Sequence, residues 1–365
     1  MSNLESHRLS NELEDTEQRR HANDEPRLPP ELEREVFETA AVRHRSMMPT
    51  LMRVARRVQD WMKPLLYDIL AFKQPSMQTD TFLQAIASDP TFAARSVRHI
   101  FFEAQDDPDL DPLEIGLKVL QHCTGVVRFG TTYTFTGRRV LDALGNLPNL
   151  RYLTANLSSL LSWDDPLPAA FERITHISLL EEPHGLGGER ICALLQRFPS
   201  LTHIAIKQSQ LSATTINALL SNCPRLEVLL LTGTWMRQPF SRISGPGGLP
   251  DPRIVFGHMP TGYLGFWGDW MSGAAGLPDL WALADETVRG RIQSGAEPES
   301  WNKPVAWVTA TTESLDFFRR RAPAPRQFRR RGASDIVTEV VEVDESELEE
   351  DSGWTDPEEA FTVVR

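Results

Sequence analysis

His176 and His203 occupy the same place in two similar stretches, Ile174-Thr-His-Ile-Ser-Leu179 and Leu201-Thr-His-Ile-Ala-Ile206. If both stretches are neighbouring strands, roughly 5 Å apart, their imidazoles offer part of a metal site. A closed structural site needs further ligands. No Cys or carboxylate belongs to the same row, so no metal is expected. Cys123, Cys192 and Cys223 form no Cys-x-x-Cys pair, and no activating charge stands beside them in sequence. They read as small buried hydrophobes in a reducing compartment. The glycine-rich stretches Gly185 to Gly188 and Gly245 to Gly248 lack the lysine and the strand–loop–helix setting of a phosphate loop, and read as turns. Neither a Gly-x-Ser-x-Gly elbow nor a His-Glu-x-x-His motif occurs. The expectation is a non-enzymatic protein without a cofactor. A hydrolase or metalloenzyme reading would require a bound metal or a deep polar pocket.

The elements that carry these residues repeat. Val97, Val126, Leu150, Ile174, Leu201, Leu226 and Ile254 follow one another at spacings of 29, 24, 24, 27, 25 and 28 residues, and most of them open a Leu-x-x-Leu-x-Leu-like run. Alternation within each run describes a short strand. Between strands, four segments share apolar or small residues at i, i+3, i+4 and i+7. These are Gly116/Val119/Leu120/Cys123, Val140/Ala143/Leu144/Leu147, Ile191/Leu194/Leu195/Phe198 and Ile216/Leu219/Leu220/Cys223. That is one helical face, repeated. Such a unit cannot close its own core, so neighbours must stack. Pro90 before Val97, and Asp164-Asp165-Pro166 with Pro168 before Ile174, predict irregular connections. Past His258 the pattern stops. The stretch 277–292, with Leu280, Leu283 and Ala284 on one side, is predicted to cap the array.

Composition bounds the remainder. A hydrophobic content of 41% allows a sizeable core. The net charge of −12 is local: residues 335–365 hold twelve Asp/Glu and one Arg, leaving the first 334 residues near −1. No basic folded surface for nucleic acid emerges. No apolar run approaches the roughly 18 residues of a membrane span, and the N-terminus lacks a signal peptide's apolar run, so a cytoplasmic or nuclear protein is expected. The triplets Arg319-Arg320-Arg321 and Arg329-Arg330-Arg331 resemble a nuclear-import signal, or equally a partner for the acidic tail. The predicted organisation is a disordered N-terminus (1–25), a small helical domain (26–75), the helix–strand array (76–260), a capping region (261–318) and a disordered basic-then-acidic tail (319–365).

Within the helical domain, Pro30 suits a helix start and Leu32 and Val36 fall at i, i+4. Leu51, Val54, Val58 and Trp61 line one face of a predicted second helix, and Pro64 opens a third with Leu65, Leu66 and Ile69. So little core calls for a partner. The pattern Leu28-Pro29-x-Glu31-Leu32, then Val36-Phe37, then Leu51-x-x-Val54-x-x-x-Val58-x-x-Trp61, resembles the F-box. With the array behind it, the chain resembles fungal F-box-like proteins with a leucine-rich-repeat-like domain, over roughly residues 26–260. It departs from the pattern in Arg43-His44-Arg45 and in a longer spacing to Leu51.

The resemblance implies an α/β fold: a small helical F-box-like domain, then a leucine-rich-repeat-like solenoid. It also implies a substrate receptor of a cullin–RING ubiquitin ligase. Leu28, Pro29, Leu32, Val36, Leu51 and Val54 would meet the ligase adaptor subunit, while Trp61 would anchor the helices to each other. From the strand pattern itself, third and fifth positions point away from the core. His99, Phe101, Arg128, Tyr152, Thr154, His176, Ser178, His203, Val228 and Leu230 are therefore the predicted concave face for an unidentified protein substrate. The alternative is an interaction scaffold whose N-terminal helices only cap the array.

Overall fold

The structure, a computed structural model, describes residues 28–72, 77–102, 112–132, 135–162, 164–181, 186–207, 211–233, 251–258, 263–295 and 305–306. The expectations for 1–25 and for 319–365, the Arg triplets included, lie outside these residues, as does the stretch Gly245 to Gly248.

Helix α1 (Pro30–Arg43) begins with proline in its first turn and Glu31 and Glu33 beside it, where the helix dipole favours negative charge. A 3₁₀ turn (Arg45–Met47) and a four-residue helix α2 (Met48–Leu51) lead to α3 (Arg56–Tyr67). Two expectations are corrected here. Leu51 and Val54 do not share a helix with Val58 and Trp61, because α2 ends before Val54. No third helix starts at Pro64, which lies inside α3, and Ile69 belongs to strand β1 (Ile69–Phe72). Ala41, Met48, Val58 and Met62 form the small core, with Trp61, Leu65 and Leu66 packed against it.

Strand β1 already belongs to the sheet, so the sheet starts inside the segment assigned to the helical domain. Helices α4 (Met77–Ser88) and α5 (Pro90–Ser96) precede β2 (His99–Phe102). The irregular connection expected at Pro90 is instead a capped helix start: the Asp89 carboxylate accepts from Thr91 N and Phe92 N, and Pro90 needs no donor. Then follow α6 (Pro112–His122), β3 (Arg128–Thr131), α7 (Arg138–Gly145), β4 (Tyr152–Ala155) and the short α8 (Leu157–Leu160). Among the described residues only a 3₁₀ turn (Ala169–Arg173) comes between α8 and β5 (His176–Leu179), after Pro166 and Pro168. The chain continues with α9 (Leu186–Leu195), β6 (His203–Lys207), α10 (Ala213–Asn222), β7 (Val228–Gly233) and β8 (Ile254–His258). Gly187 and Gly188, read as turn residues, lie in the first turn of α9.

Among the described residues all strand pairs are parallel and run in chain order from β1 to β9 (Val305–Ala306), so the protein is α/β with an open parallel sheet of nine described strands. Alternation divides the strand residues between two faces. Ile100, Phe129, Leu153, Ile177, Ile204, Leu229 and Ile254 join the repeated helical face in one continuous core. Gly116 is part of that face because a Cβ there would lie 2.3 Å from the Phe135 ring, which itself stacks on Phe102 at 4.4 Å. Arginines tie successive units at the strand entrances. Arg98, Arg173 and Arg253 donate to the carbonyls of Gly125, Pro148 and Leu226 at 3.1, 3.0 and 3.2 Å.

Candidate interaction site

The opposite face of the sheet carries two rungs of side chains in register. One runs Ile69, His99, Arg128, Tyr152, His176, His203, Val228. The other runs Ala71, Phe101, Gly130, Thr154, Ser178, Ala205, Leu230, Val255. Parallel pairing sets each side chain beside its counterpart at strand spacing, and the flat groups of the first rung stack. Arg128 lies over the Tyr152 ring at 4.4 Å. Tyr152 stacks on His176 at 4.2 Å, and His176 on His203 at 4.0 Å and 13°.

This face is not open. Helices α11 (Tyr263–Ala274) and α12 (Leu280–Ser294) lie across it. Trp267, Trp270 and Met271 of α11 pack on Ile69 and Phe101. Leu280, Ala284 and Val288 of α12 pack on Ala205, Val228, Leu230 and Val255. Phe101, Arg128, Thr154, His203, Val228 and Leu230 are consequently buried, and only His99, Tyr152, His176 and Ser178 keep intermediate exposure. The expectation of an open concave lining is corrected for those six residues. The stretch expected to cap the end of the array instead covers its inner face. The physical reason is the apolar character of Phe101, Val228 and Leu230, since parallel sheets are generally buried on both faces.

Polar contacts pin the cover between its two apolar ends. Arg128 Nη1 and Nη2 both donate to Asp279 Oδ2 at 3.2 Å, while Asp279 Oδ1 accepts from Ala282 N and so caps α12. A Cβ on Gly273 would come within 2.0 Å of both Arg128 Nη1 and Asp279 Oδ2, so glycine is what lets α11 pass this pair. His203 Nε2 faces Asp285 Oδ1 at 2.8 Å, its Nδ1 meets the Thr202 hydroxyl, and the Trp281 ring stands edge-on to both His176 and His203. Because a carboxylate only accepts, Nε2 of His203 carries the proton. Burial, then the charge of Arg128, depresses the His99 pKa to about 3. Burial, then His203 and Arg128, depresses His176 to about 2, so both rings are neutral.

Among the described residues no group of three or more His, Cys, Asp or Glu could hold a metal ion. Burial pushes the thiols of Cys123 and Cys192 up to about 12 and raises that of Cys223, which leaves them protonated and unreactive. Nor does any helix among the described residues have the length and apolarity to cross a membrane.

A second surface lies at the N-terminus. Leu28, Leu32, Val36 and Val54 are 45, 49, 57 and 60% exposed. Pro29 is also exposed and Leu51 is partly buried against Met48, Val58 and Met62. Arg57 donates to both carboxylate oxygens of Glu33 at 2.8 and 3.0 Å, which holds the start of α3 alongside the first turns of α1. The first turns of α1 and the α2–α3 connection thus present apolar side chains that the other described residues leave exposed.

The sequence reading missed Asp279, Asp285, Trp267, Trp270 and Trp281. A signal existed: Trp267, Trp270 and Trp281 lie in the region read as a terminal cap, and apolar residues lie on a sheet face read as open. No protein-family model matches the chain, and comparison with curated proteins likewise finds no match.

Proposed function

We propose that this protein is an F-box-like substrate receptor of a cullin–RING ubiquitin ligase, with the N-terminal helices docking on the adaptor subunit and a leucine-rich-repeat-like solenoid behind them serving substrate binding. One observation carries the reading. Four residues of the F-box-like pattern, Leu28, Leu32, Val36 and Val54, are left apolar and exposed, whereas Phe37, Leu51 and Trp61 pack on the small core and Val58 is buried in it. Leu28, Leu32, Val36 and Val54 account for half of the eight exposed large hydrophobic residues found among the described ones. An exposed apolar surface on a small helical domain marks a protein-binding site. The sequential parallel order of the described strands, with helical or 3₁₀ backbone before each of β1 to β7, supports the solenoid reading of the remainder. Substrate contact then falls to what the covering helices leave accessible, rather than to the whole inner face.

The test is capture of the full chain by purified adaptor subunit, with Leu32→Asp and Val36→Asp beside it. Capture by the unaltered chain and loss in both variants is expected. Absence of capture by the unaltered chain would remove the receptor role.

A second reading, a scaffold whose N-terminal helices cap the sheet, draws on a different observation. Helix α3 is separated from β1 by one residue and packs on α5, with Lys63 Nζ 5.0 Å from the Phe92 ring centroid. Under that reading, deleting 28–67 destabilises the sheet whether or not the adaptor binds.

A further inference from the structure

Two helices of the N-terminal domain begin with opposite charges. Helix α1 carries Glu31 and Glu33 in its first turn, where the helix dipole favours acid. Helix α3 has no acidic residue in its first turn and opens instead on Arg56 and Arg57. The same dipole disfavours cations there. Ala55, the residue before them, supplies no side-chain cap to offset this.

The fold accounts for Arg57, because both carboxylate oxygens of Glu33 accept from it. It does not account for Arg56. Arg56 and Arg53 are exposed, and among the described residues neither side chain forms an ion pair or a hydrogen bond, not even Arg56 with Asp60 four residues on. Between the two in sequence stands Val54, which is 60% exposed. An unpaired cation at the start of a helix and an apolar side chain in water each work against the isolated domain. Local choices that oppose the fold are expected where a surface serves binding.

The Arg57–Glu33 bridge ties this segment to the rest of the exposed apolar face. Glu33 adjoins Leu32 and lies three residues before Val36 on the same helix, so the bridge sets the start of α3 at the flank of that apolar stripe. Arg34 differs in both respects. It bonds to Glu38 and, two residues from both Leu32 and Val36, lies on the opposite side of α1.

Charge complementarity then states what the partner must carry. A surface that covers Val54 meets two unpaired guanidinium groups at its border. Carboxylates there would pair with them, and the planar fork of arginine suits bidentate contact with such groups. Lysines or arginines there would be repelled. We propose that Arg53 and Arg56 form a cationic rim beside Val54 on the adaptor-docking face, and that they select a partner whose apolar groove is bordered by carboxylates. The proposal rests on the receptor reading and adds the chemistry by which that partner is recognised.

The experiment measures association of the full chain with immobilised adaptor subunit by surface plasmon resonance at about 50 and about 300 mM salt, over which screening tightens. Arg53→Glu combined with Arg56→Glu is expected to slow association about tenfold at the lower salt and to flatten its salt dependence. Arg53→Lys combined with Arg56→Lys should stay within about twofold of the unaltered chain, as should Arg34→Glu. Reversing the charges removes cations from the start of α3, so the double glutamate variant should melt no lower than the unaltered chain. Equal association by that variant, or an equal loss in Arg34→Glu, overturns the proposal and leaves the receptor role standing. A double variant that melts well below the unaltered chain would show that the arginines serve the fold, and overturns it too. No association by the unaltered chain at either salt removes the receptor role and this proposal together.

Discussion

Arg128 and Asp279 are 151 residues apart in sequence and form a buried ion pair, both terminal guanidinium nitrogens lying 3.2 Å from the same carboxylate oxygen. The pair joins the third strand of the sheet to the N-cap of the helix that covers it. With the His203–Asp285 contact, it registers the covering helix on the sheet.

Removing one partner of this pair leaves the other charge buried. Asp279→Ala is expected to cost about 3–5 kcal/mol, with loss of the α12 cap contributing about 1 kcal/mol of that. Gly273→Ala should act on the same contact without touching either charge, because its Cβ would displace both groups. Urea denaturation followed by tryptophan fluorescence measures both. A Gly273→Ala protein as stable as the unaltered chain would contradict this account of the contact.

Acid should loosen the layer. His99 and His176 have folded-state pKa values of about 3 and about 2, against roughly 6.5 in the unfolded chain. The folded protein thus binds fewer protons than the unfolded one below that value. Stability from these two rings is complete above about pH 6.5 and falls as pH drops from there towards their folded values. A loss of about 2–4 kcal/mol between pH 7 and pH 5 is expected. His176→Gln should flatten that dependence by about half, read as the urea midpoint at each pH.

Exposure separates binding from folding at the N-terminus. Val36 is 57% exposed whereas Val58 is fully buried. Val36→Asp should leave stability within about 0.5 kcal/mol of the unaltered chain while abolishing adaptor capture. Val58→Asp should unfold the helical domain. Circular dichroism alongside the capture assay tells the two effects apart.

The covering helices should prove integral to the fold. A chain ended after His258 would expose Phe101, Val228, Leu230 and Val255 and strand Arg128 without its carboxylate. Strong binding of a hydrophobic dye and loss of a cooperative melting transition are expected. A soluble truncation that melts cooperatively near the temperature of the full chain would mean that the inner face tolerates water.

The sequence by itself determined the repeating alternation, because it is written in local periodicities. Val140/Ala143/Leu144/Leu147 specifies one face of a helix, and Leu226 with Leu229 and Leu231 specifies one face of a strand, without reference to the rest of the chain. The short motif singles out Leu28, Leu32 and Val36, whereas periodicity sets Val54 on one face with Val58, which is buried. Breaks were less legible: Pro64 sits inside a helix, and Pro90 begins one, since a proline's effect depends on whether its missing donor falls in a first turn. The tertiary structure alone decided what lies on the inner face of the sheet. Periodicity states that Phe101, Arg128 and His203 share a face, but not what faces them. Their partners Trp270, Asp279 and Asp285 come from a segment with no repeat, more than 80 residues beyond the nearest of them for His203. Burial of an ion pair and a stacked row of rings depends on that long-range packing, which no local pattern encodes.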